Sequence, residues 1–294
     1  MSLTSYQTAP PCCKRLKSID IIFECNEKTF FLAHEFTKST LSTMVDLQEI
    51  RKFCDHRVSA EDIKDFPGAW NGLQIENSGT VSKIGASVDA GLIPYSVAID
   101  KNIDFLVCHH GMFWNPPIPF TGTNFNKIKL CIDSNLAVYS SHLPLDCHPE
   151  IGNNAILANK LELKACGTFL PYEGVDIGLL ATASYSRNEL CLRLNDLFNA
   201  GYHRIEYGVP NPEKIAILTG SGQSAVQKIL EQGTDTLITG ELKQHHFNLA
   251  QEMKLNLYAC GHYATERFGV SALAQEISQK FDLPYEFVET SCTL

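Results

Sequence analysis

The chain has 294 residues, of which 44% are hydrophobic and 19% charged, so it has enough apolar material for a folded core and is not disordered as a whole. Its 24 Lys and Arg against 33 Asp and Glu give a formal net charge of −9, which argues against direct binding of nucleic acid or of an anionic membrane surface. The 11 Cys are scattered without any Cys-x-x-Cys spacing, which predicts reduced thiols in a cytoplasmic protein rather than a disulfide scaffold.

Two further features argue against membrane insertion and secretion. The apolar runs, such as residues 103–108, have the length of a strand and fall far short of the roughly 20 residues that a spanning helix requires. Near the N-terminus, Asp20, Glu24 and Glu27 interrupt the apolar segment that a signal peptide would need. We therefore expect no membrane contact and a cytoplasmic location.

Regular structure is predicted from residue 44 onwards, and residues 1–43 are predicted to be an N-terminal extension with one strand at 29–33. Thr43 and Asp46 form a capping box before a helical stripe that includes Leu47 and Ile50. Strands and helices then alternate. The first predicted series is strand 84–88, helix 94–101, strand 103–108, helix 125–133, strand 137–140 and helix 153–161.

A second series begins after Gly167 and a turn at 171–174, and Ser186 with Glu189 forms another capping box. It consists of strand 175–181, the helix after Ser186, strand 214–218, helix 224–232, strand 236–239, helix 243–253, strand 256–259 and helix 264–280. Strands separated by helices imply parallel pairing. The predicted fold is therefore α/β, with two α/β sub-domains and mainly parallel sheets. The predicted boundaries are 44–166 plus 261–294 for the first domain and 167–260 for the second.

Histidine and carboxylate residues concentrate where the predicted strands end, and in parallel sheets these ends form binding sites. Imidazole and carboxylate ligands suit Zn²⁺, Fe²⁺ or Mn²⁺, and a carboxylate can bridge two ions. His262 and Glu266 are spaced to share one helix face, whereas His142 and Asp146 need a loop because Pro144 lies between them. A metal site is favoured over coincidence. The candidate residues are His109, His110, His142, Asp146, His262 and Glu266.

Two other patterns leave alternatives open. His245 and His246 lie among polar residues on a predicted helix, where a surface is as good an interpretation as a site, so both are left out of the metal set. The spacing Gly220-x-Gly222-x-x-Ala225, with Glu241 about twenty residues later, is formally a dinucleotide-binding pattern. A tight strand-to-helix turn whose amides hold a phosphate is the other interpretation.

Four strings of the sequence carry a resemblance to a known family. They are Asn-Gly-Leu-Gln at 71–74, Asp-Phe-Leu-Val-Cys-His-His at 104–110, Tyr-Ser-Ser-His-Leu-Pro-Leu-Asp at 139–146 and Gly-His-Tyr-Ala-Thr-Glu at 261–266. In this order the chain resembles the Nif-three-like family, also called the GTP cyclohydrolase I type 2 family, from residue 44 to the C-terminus. The chain has Gly111 and Leu143-Pro144 where the family commonly has Pro and Thr-Asn. Neither change removes a ligand, but the substrate-facing loop differs.

The resemblance implies a dinuclear metal centre in the cleft between two domains, with two divalent ions (Zn, Fe or Mn) per chain, and ring-shaped homohexamers. It implies that His109 and His262 bind one ion, that His110 and Asp146 bind the other, and that Glu266 bridges both. His142 is implied to lie beside the ions, where it is a candidate catalytic residue for proton transfer.

The leading expectation for the function is a metal-dependent hydrolase, because two bridged ions can activate a water molecule near neutral pH. The resemblance suggests a small-molecule substrate and names a nucleotide, GTP. The alternative is a metal-binding regulatory or interaction protein that carries ions without turnover.

Overall fold

A computed structural model describes residues 44–113, 119–290 and 292–293; Thr43 and the predicted 1–43 extension with its strand lie outside these residues. The helices are α1 (Leu47–Arg57), α2 (Leu92–Asp100), α3 (Gly122–Asp133), α4 (Leu143–Asp146), α5 (Asn153–Lys160), α6 (Arg187–Leu197), α7 (His246–Met253) and α8 (His262–Phe281). The strands are β1 (Val45–Asp46), β2 (Gly72–Ile75), β3 (Thr80–Val81), β4 (Ile84–Asp89), β5 (Phe105–His110), β6 (Ala137–Ser140), β7 (Lys164–Tyr172), β8 (Val175–Thr182), β9 (His203–Glu206), β10 (Lys214–Ser221), β11 (Thr236–Glu241), β12 (Asn256–Ala259) and β13 (Tyr285–Phe287).

The first large sheet has the strand order β13-β4-β5-β6-β2, parallel except for β2 at its edge. Successive side chains of a strand point to opposite faces. In β5, Phe105 and Val107 pack in a core with α1 and α8, while Leu106 and Cys108 pack in a second core with α2 and α3. Because helices cover both faces, residues 105–108 of this strand are all apolar. Each such buried side chain stabilises the fold by about 1.5–3 kcal/mol.

The second large sheet has the strand order β7-β8-β10-β11-β12-β9, and only its three central strands, β10 to β12, are parallel. The prediction of a mainly parallel sheet is therefore right for the first sheet and wrong for this one. Strands β7 and β8 form an antiparallel hairpin, whose turn residues Glu173 and Gly174 both have positive φ, as a tight two-residue hairpin turn requires. Strand β9 adds antiparallel pairing at the other edge.

Local signals in the sequence predict the helix starts with mixed success. Ser186 accepts a hydrogen bond from the Glu189 amide and caps α6, as predicted. The N-cap of α1 is Asp46 rather than Thr43. The Asp46 carboxylate accepts hydrogen bonds from the backbone amides of Gln48 and Glu49. The predicted helix 224–232 is wrong. There the amides bond mostly three residues back, and the segment ends in a 3₁₀ turn at Leu230–Gln232.

Helix α8 packs against both sheets. Val270, Leu273 and Ile277 lie in the core of the first sheet, whereas Ala264 and Phe268 border the core of the second. The α/β class is confirmed. The division into domains 44–166 plus 261–294 and 167–260 stays a prediction. Across the part of the chain that the structure describes, none of the helices combines the length and apolar character that a membrane crossing requires.

Candidate metal centre

The structure brings the five predicted ligands together at the N-terminus of α8. His109 and His110 are the last residues of β5 rather than the first residues after it, and Asp146 ends α4. His262 and Glu266 lie one turn apart at the start of α8. The distances are 3.4 Å from His109 Nε2 to Asp146 Oδ2, 3.6 Å from His109 Nε2 to Glu266 Oε1, 3.3 Å from His110 Nε2 to Glu266 Oε2 and 3.1 Å from His262 Nε2 to Glu266 Oε2.

The ligands form two groups that share Glu266, but not in the pairing that the resemblance implies. One group is His109, Asp146 and Glu266, and the other is His110, His262 and Glu266; within each, the ligand atoms lie within 4.8 Å of one another. The reason is the orientation of Glu266, whose Oε1 lies near His109 and whose Oε2 lies near both His110 and His262. A third group joins His142 to His109 and His110.

Each of the four imidazoles turns its Nδ1 outward to an oxygen atom. His109 donates to the Ser141 carbonyl, His110 to Asp89 and His142 to Asp65, each at 2.9 Å, while His262 Nδ1 lies 3.5 Å from Glu241. This arrangement fixes the ring and its tautomer, and directs Nε2 of the ligand histidines toward Glu266. Outward oxygen partners of this kind are typical of histidines that bind metal.

Asp65 and Asp89 are candidate site residues that the sequence analysis missed. Asp89 faces His110 in the register of two parallel strands, so strand alignment could have found it. Asn153 donates to Asp146 Oδ1 at 2.7 Å, which orients another ligand. Asp65 lies in an irregular loop that gives no periodic signal, and it is nearly inaccessible in the structure.

The charges at the centre fit a cation. Burial alone would lower the pKa of His109, but the Asp146 and Glu266 carboxylates outweigh it and raise that pKa well above its ordinary value. Burial is likewise outweighed at Glu266, whose pKa the neighbouring histidines hold far below its usual range. Among the described residues, the buried His109 Nε2 and Glu266 Oε2 have no hydrogen-bond partner. A divalent ion would bind both atoms and would offset the negative charge of the carboxylates.

The glycine-rich segment at the end of β10 makes room for this centre and is not a dinucleotide-binding turn. Gly220 has φ +64°, and a Cβ there would collide with the Glu266 carboxylate. A Cβ at Gly240 would meet the Gly220 carbonyl and Thr265 Oγ1. Since β10 continues through Ser221 and no α-helix begins before His246, the dinucleotide interpretation is wrong.

We expect Gly220→Ala to disable metal uptake, because the new methyl group must displace Glu266. Gly174→Ala is the matched control: its φ of +95° is also positive, but nothing lies within 4 Å of the added Cβ. Both variants should lose about 1 kcal/mol from backbone strain. Only Gly220→Ala should fail to bind Mn²⁺ in equilibrium dialysis, and normal uptake by this variant would contradict the assigned position of Glu266.

The pair His245 and His246 divides between surface and core. His245 is exposed, which fits the surface interpretation, whereas His246 is buried and does not fit it. His246 Nδ1 accepts a hydrogen bond from the Lys243 amide at 2.9 Å, and burial lowers its pKa. Neither residue joins a potential metal group within the described chain.

Metal uptake should strengthen as the pH rises from about 6.5 to about 9. Burial opposes the charged form of His262, but Glu266 and Glu241 raise its pKa from 6.5 to about 9 in the metal-free chain. Its ion pairs therefore stabilise the metal-free fold fully below pH 6.5 and are lost as the pH rises through 9. Because metal must displace this proton, the dissociation constant for Mn²⁺ should fall over the same range. An affinity that does not change with pH would contradict binding through His262.

Comparisons with known proteins extend these observations. The family model Duf34/NIF3 (NGG1p interacting factor 3) matches residues 45–293. A GTP cyclohydrolase 1 type 2 homolog of Deinococcus radiodurans is 36% identical over 220 residues, covering 74% of this chain and 84% of that protein. A protein of the same name from Archaeoglobus fulgidus is 31% identical over 252 residues, covering 85% and 100%. The crystal structure of TTHA1606 from Thermus thermophilus has a TM-score of 0.73 at 32% identity, covering 85% and 100%.

The fold and the site define a mixed α/β protein with a candidate metal centre where two sheets meet one helix. The chain belongs to the Duf34/NIF3 family, whose model matches nearly all of its described length.

Proposed function

We propose that this chain is a hydrolase that depends on two divalent metal ions, Zn, Fe or Mn, and acts on a nucleotide such as GTP. The observation that carries the proposal is that His109 Nε2 and Glu266 Oε2, both buried within the ligand groups, make no hydrogen bond within the described chain. In the proposal, His109, Asp146 and Glu266 hold one ion, and His110, His262 and Glu266 hold the other. Two ions are favoured because five protein ligands exceed the about three that one catalytic zinc ion keeps.

When bound, the two ions would supply a water of lowered pKa and polarise the bond under attack. The chain's own contribution is proton transfer. The Asp65 carboxylate accepts the Nδ1–H of His142, so Nε2 is the nitrogen that takes a proton and returns it to the leaving group. Asp65 also accepts from the Leu143 amide and from Asn71, which holds this carboxylate in place.

The name GTP cyclohydrolase 1 type 2 homolog, given to relatives above 30% identity, supports a nucleotide as the substrate. A cytoplasmic location belongs to the proposal, and the free cysteines in the described chain support it. The homohexamer also belongs to the proposal and rests on the family resemblance.

The test is turnover by protein loaded with Mn²⁺, Zn²⁺ or Fe²⁺ on a panel of nucleotides and phosphoesters. We expect hydrolysis that falls at least about 100-fold in both His110→Ala and Glu266→Ala, since each removes a proposed ligand. His245→Ala is the control, because this histidine is exposed and should leave turnover unchanged. Tight metal binding without turnover of any substrate would instead favour the metal-binding regulatory protein.

A further inference from the structure

The segment of residues 64–74, here called the rim loop, consists of an irregular stretch and the first residues of β2, and its polar side chains fasten it to the candidate metal centre. Asn71 Oδ1 accepts from the His142 amide at 2.8 Å, and Asn71 Nδ2 donates to Asp65 Oδ2 at 2.9 Å. Gln74 Oε1 accepts from the Met112 amide at 2.6 Å, two residues beyond His110. The rim loop is therefore held against both His142 and the strand that carries two ligands.

The rim loop also presents an aromatic ring beside the centre. The Phe66 ring centroid lies 5.8 Å from that of His142 and 4.6 Å from that of Tyr172, which ends β7. Lys64 pairs with Glu173 at 3.7 Å, so the loop and the hairpin turn are joined twice. Although packed against two rings, Phe66 remains 36% exposed. An exposed aromatic surface at the edge of a polar site is typical of ligand recognition.

The carboxylates around the centre are paired with histidines. Within the described residues, no Lys or Arg forms an ion pair with the five carboxylates around the centre, those of Asp65, Asp89, Asp146, Glu241 and Glu266. These carboxylates pair with the four histidines, and Asp146 and Asp65 also accept hydrogen bonds from uncharged amides. Recognition of phosphate groups usually relies on Arg or Lys. The described neighbours of the His142 side chain include the Phe66 ring, which offers an apolar face suited to a flat ring.

We propose that Phe66, supported by Tyr172, is a stacking platform that binds a planar heteroaromatic ring of the substrate next to His142. The inference rests on the proposed function in taking the metal centre as the reacting site, and it adds the part of the substrate that is recognised and a residue that determines specificity. Stacking on an aromatic side chain tolerates different rings because each has a π face. The ring, and not the phosphate, is the part of the substrate that this platform recognises.

The experiment measures equilibrium binding of guanosine, which has the ring and no phosphate, to metal-loaded protein by titration calorimetry. Phe66→Leu should weaken guanosine binding about tenfold, because it removes the ring and keeps apolar bulk, and Phe66→Trp should restore binding. Phe247→Leu is the matched control. Phe247 is also exposed, at 44%, and also packs on a tyrosine, Tyr207, but it lies on α7, and among the described residues its ring pairs with none of the four histidine rings. Ribose 5-phosphate, which has phosphate and no aromatic ring, should not distinguish Phe66→Leu from wild type.

Every outcome is decisive for the platform and separate from turnover. Equal guanosine affinity in wild type and Phe66→Leu, or no guanosine binding to the wild type, overturns the platform even if nucleotides are hydrolysed. Guanosine binding that depends on Phe66 supports the platform even if no substrate is hydrolysed, in which case only the hydrolase fails. Equal metal uptake by both variants shows that the centre itself is intact.

Discussion

Glu266→Gln is expected to abolish most of the thermal stabilisation that Mn²⁺ or Zn²⁺ gives this protein. A ligand that binds only the folded state at about 1,000 times its dissociation constant stabilises it by about 4 kcal/mol, roughly 10 °C for a chain of this size. Glu266 is the residue that both ligand groups share, so its replacement by a neutral amide weakens both ions at once. The measurement is the melting temperature with metal minus that with chelator, for each variant.

The subtraction separates metal binding from any change in the intrinsic stability of the variant. His245→Ala should keep the full gain, because His245 is exposed and lies outside the ligand groups. Equal stabilisation of wild type and Glu266→Gln by metal would mean that the ions bind elsewhere.

Asp65→Asn is expected to lower turnover at least about 100-fold while leaving metal content unchanged, because general acid–base catalysis by one side chain contributes about 10²–10⁴-fold. The carboxylate accepts the Nδ1–H of His142 and so fixes which nitrogen can carry the proton. An amide presents both a donor and an acceptor at that position, and the ring can then adopt the wrong tautomer.

Asp104→Asn is the matched control for this substitution. Asp104 likewise accepts several hydrogen bonds, from the Ser82 amide and hydroxyl and the Lys83 amide, but it precedes β5 at the end away from the histidines. Both variants should lose about 2 kcal/mol of stability, since hydrogen bonds to charged groups are weakened. Only Asp65→Asn should lose turnover. A loss of metal in Asp65→Asn would show that His142 is a ligand rather than a proton carrier.

The sequence predicts the parts of this site that lie on regular elements. The apolar run before His109 and the helical spacing of His262 and Glu266 are local patterns, and both elements exist where they are predicted. Asp65 and Asn71 could not be found in this way, because they act from an irregular loop and their importance arises only when it packs on His142. Which predicted ligands lie together depends on the orientation of the Glu266 side chain, and the spacing of residues in the sequence does not determine that orientation.

The errors in the fold have similar causes. Strand β7 is mostly exposed and rich in small residues, so it lacks the apolar alternation that marks a half-buried strand. His246 has polar neighbours in sequence, yet it shares the inner face of α7 with Ala250, four residues later, and is buried with it. The exposure of β7 and the burial of His246 both depend on tertiary packing, and a short window of the sequence carries no information about that packing.

Helix α8 gives the candidate metal centre a connection to the rest of the molecule. It has 20 residues and is therefore about 30 Å long, with two predicted ligands in its first two turns and Phe281, which packs on Phe53 of α1, at its other end. Since both cores share this helix, its detachment exposes both sheets, and the described chain should unfold in a single cooperative transition. Amide hydrogen exchange along α8 should slow when the ligands are occupied, including in turns far from any ion, because the whole helix then opens only with the loss of metal.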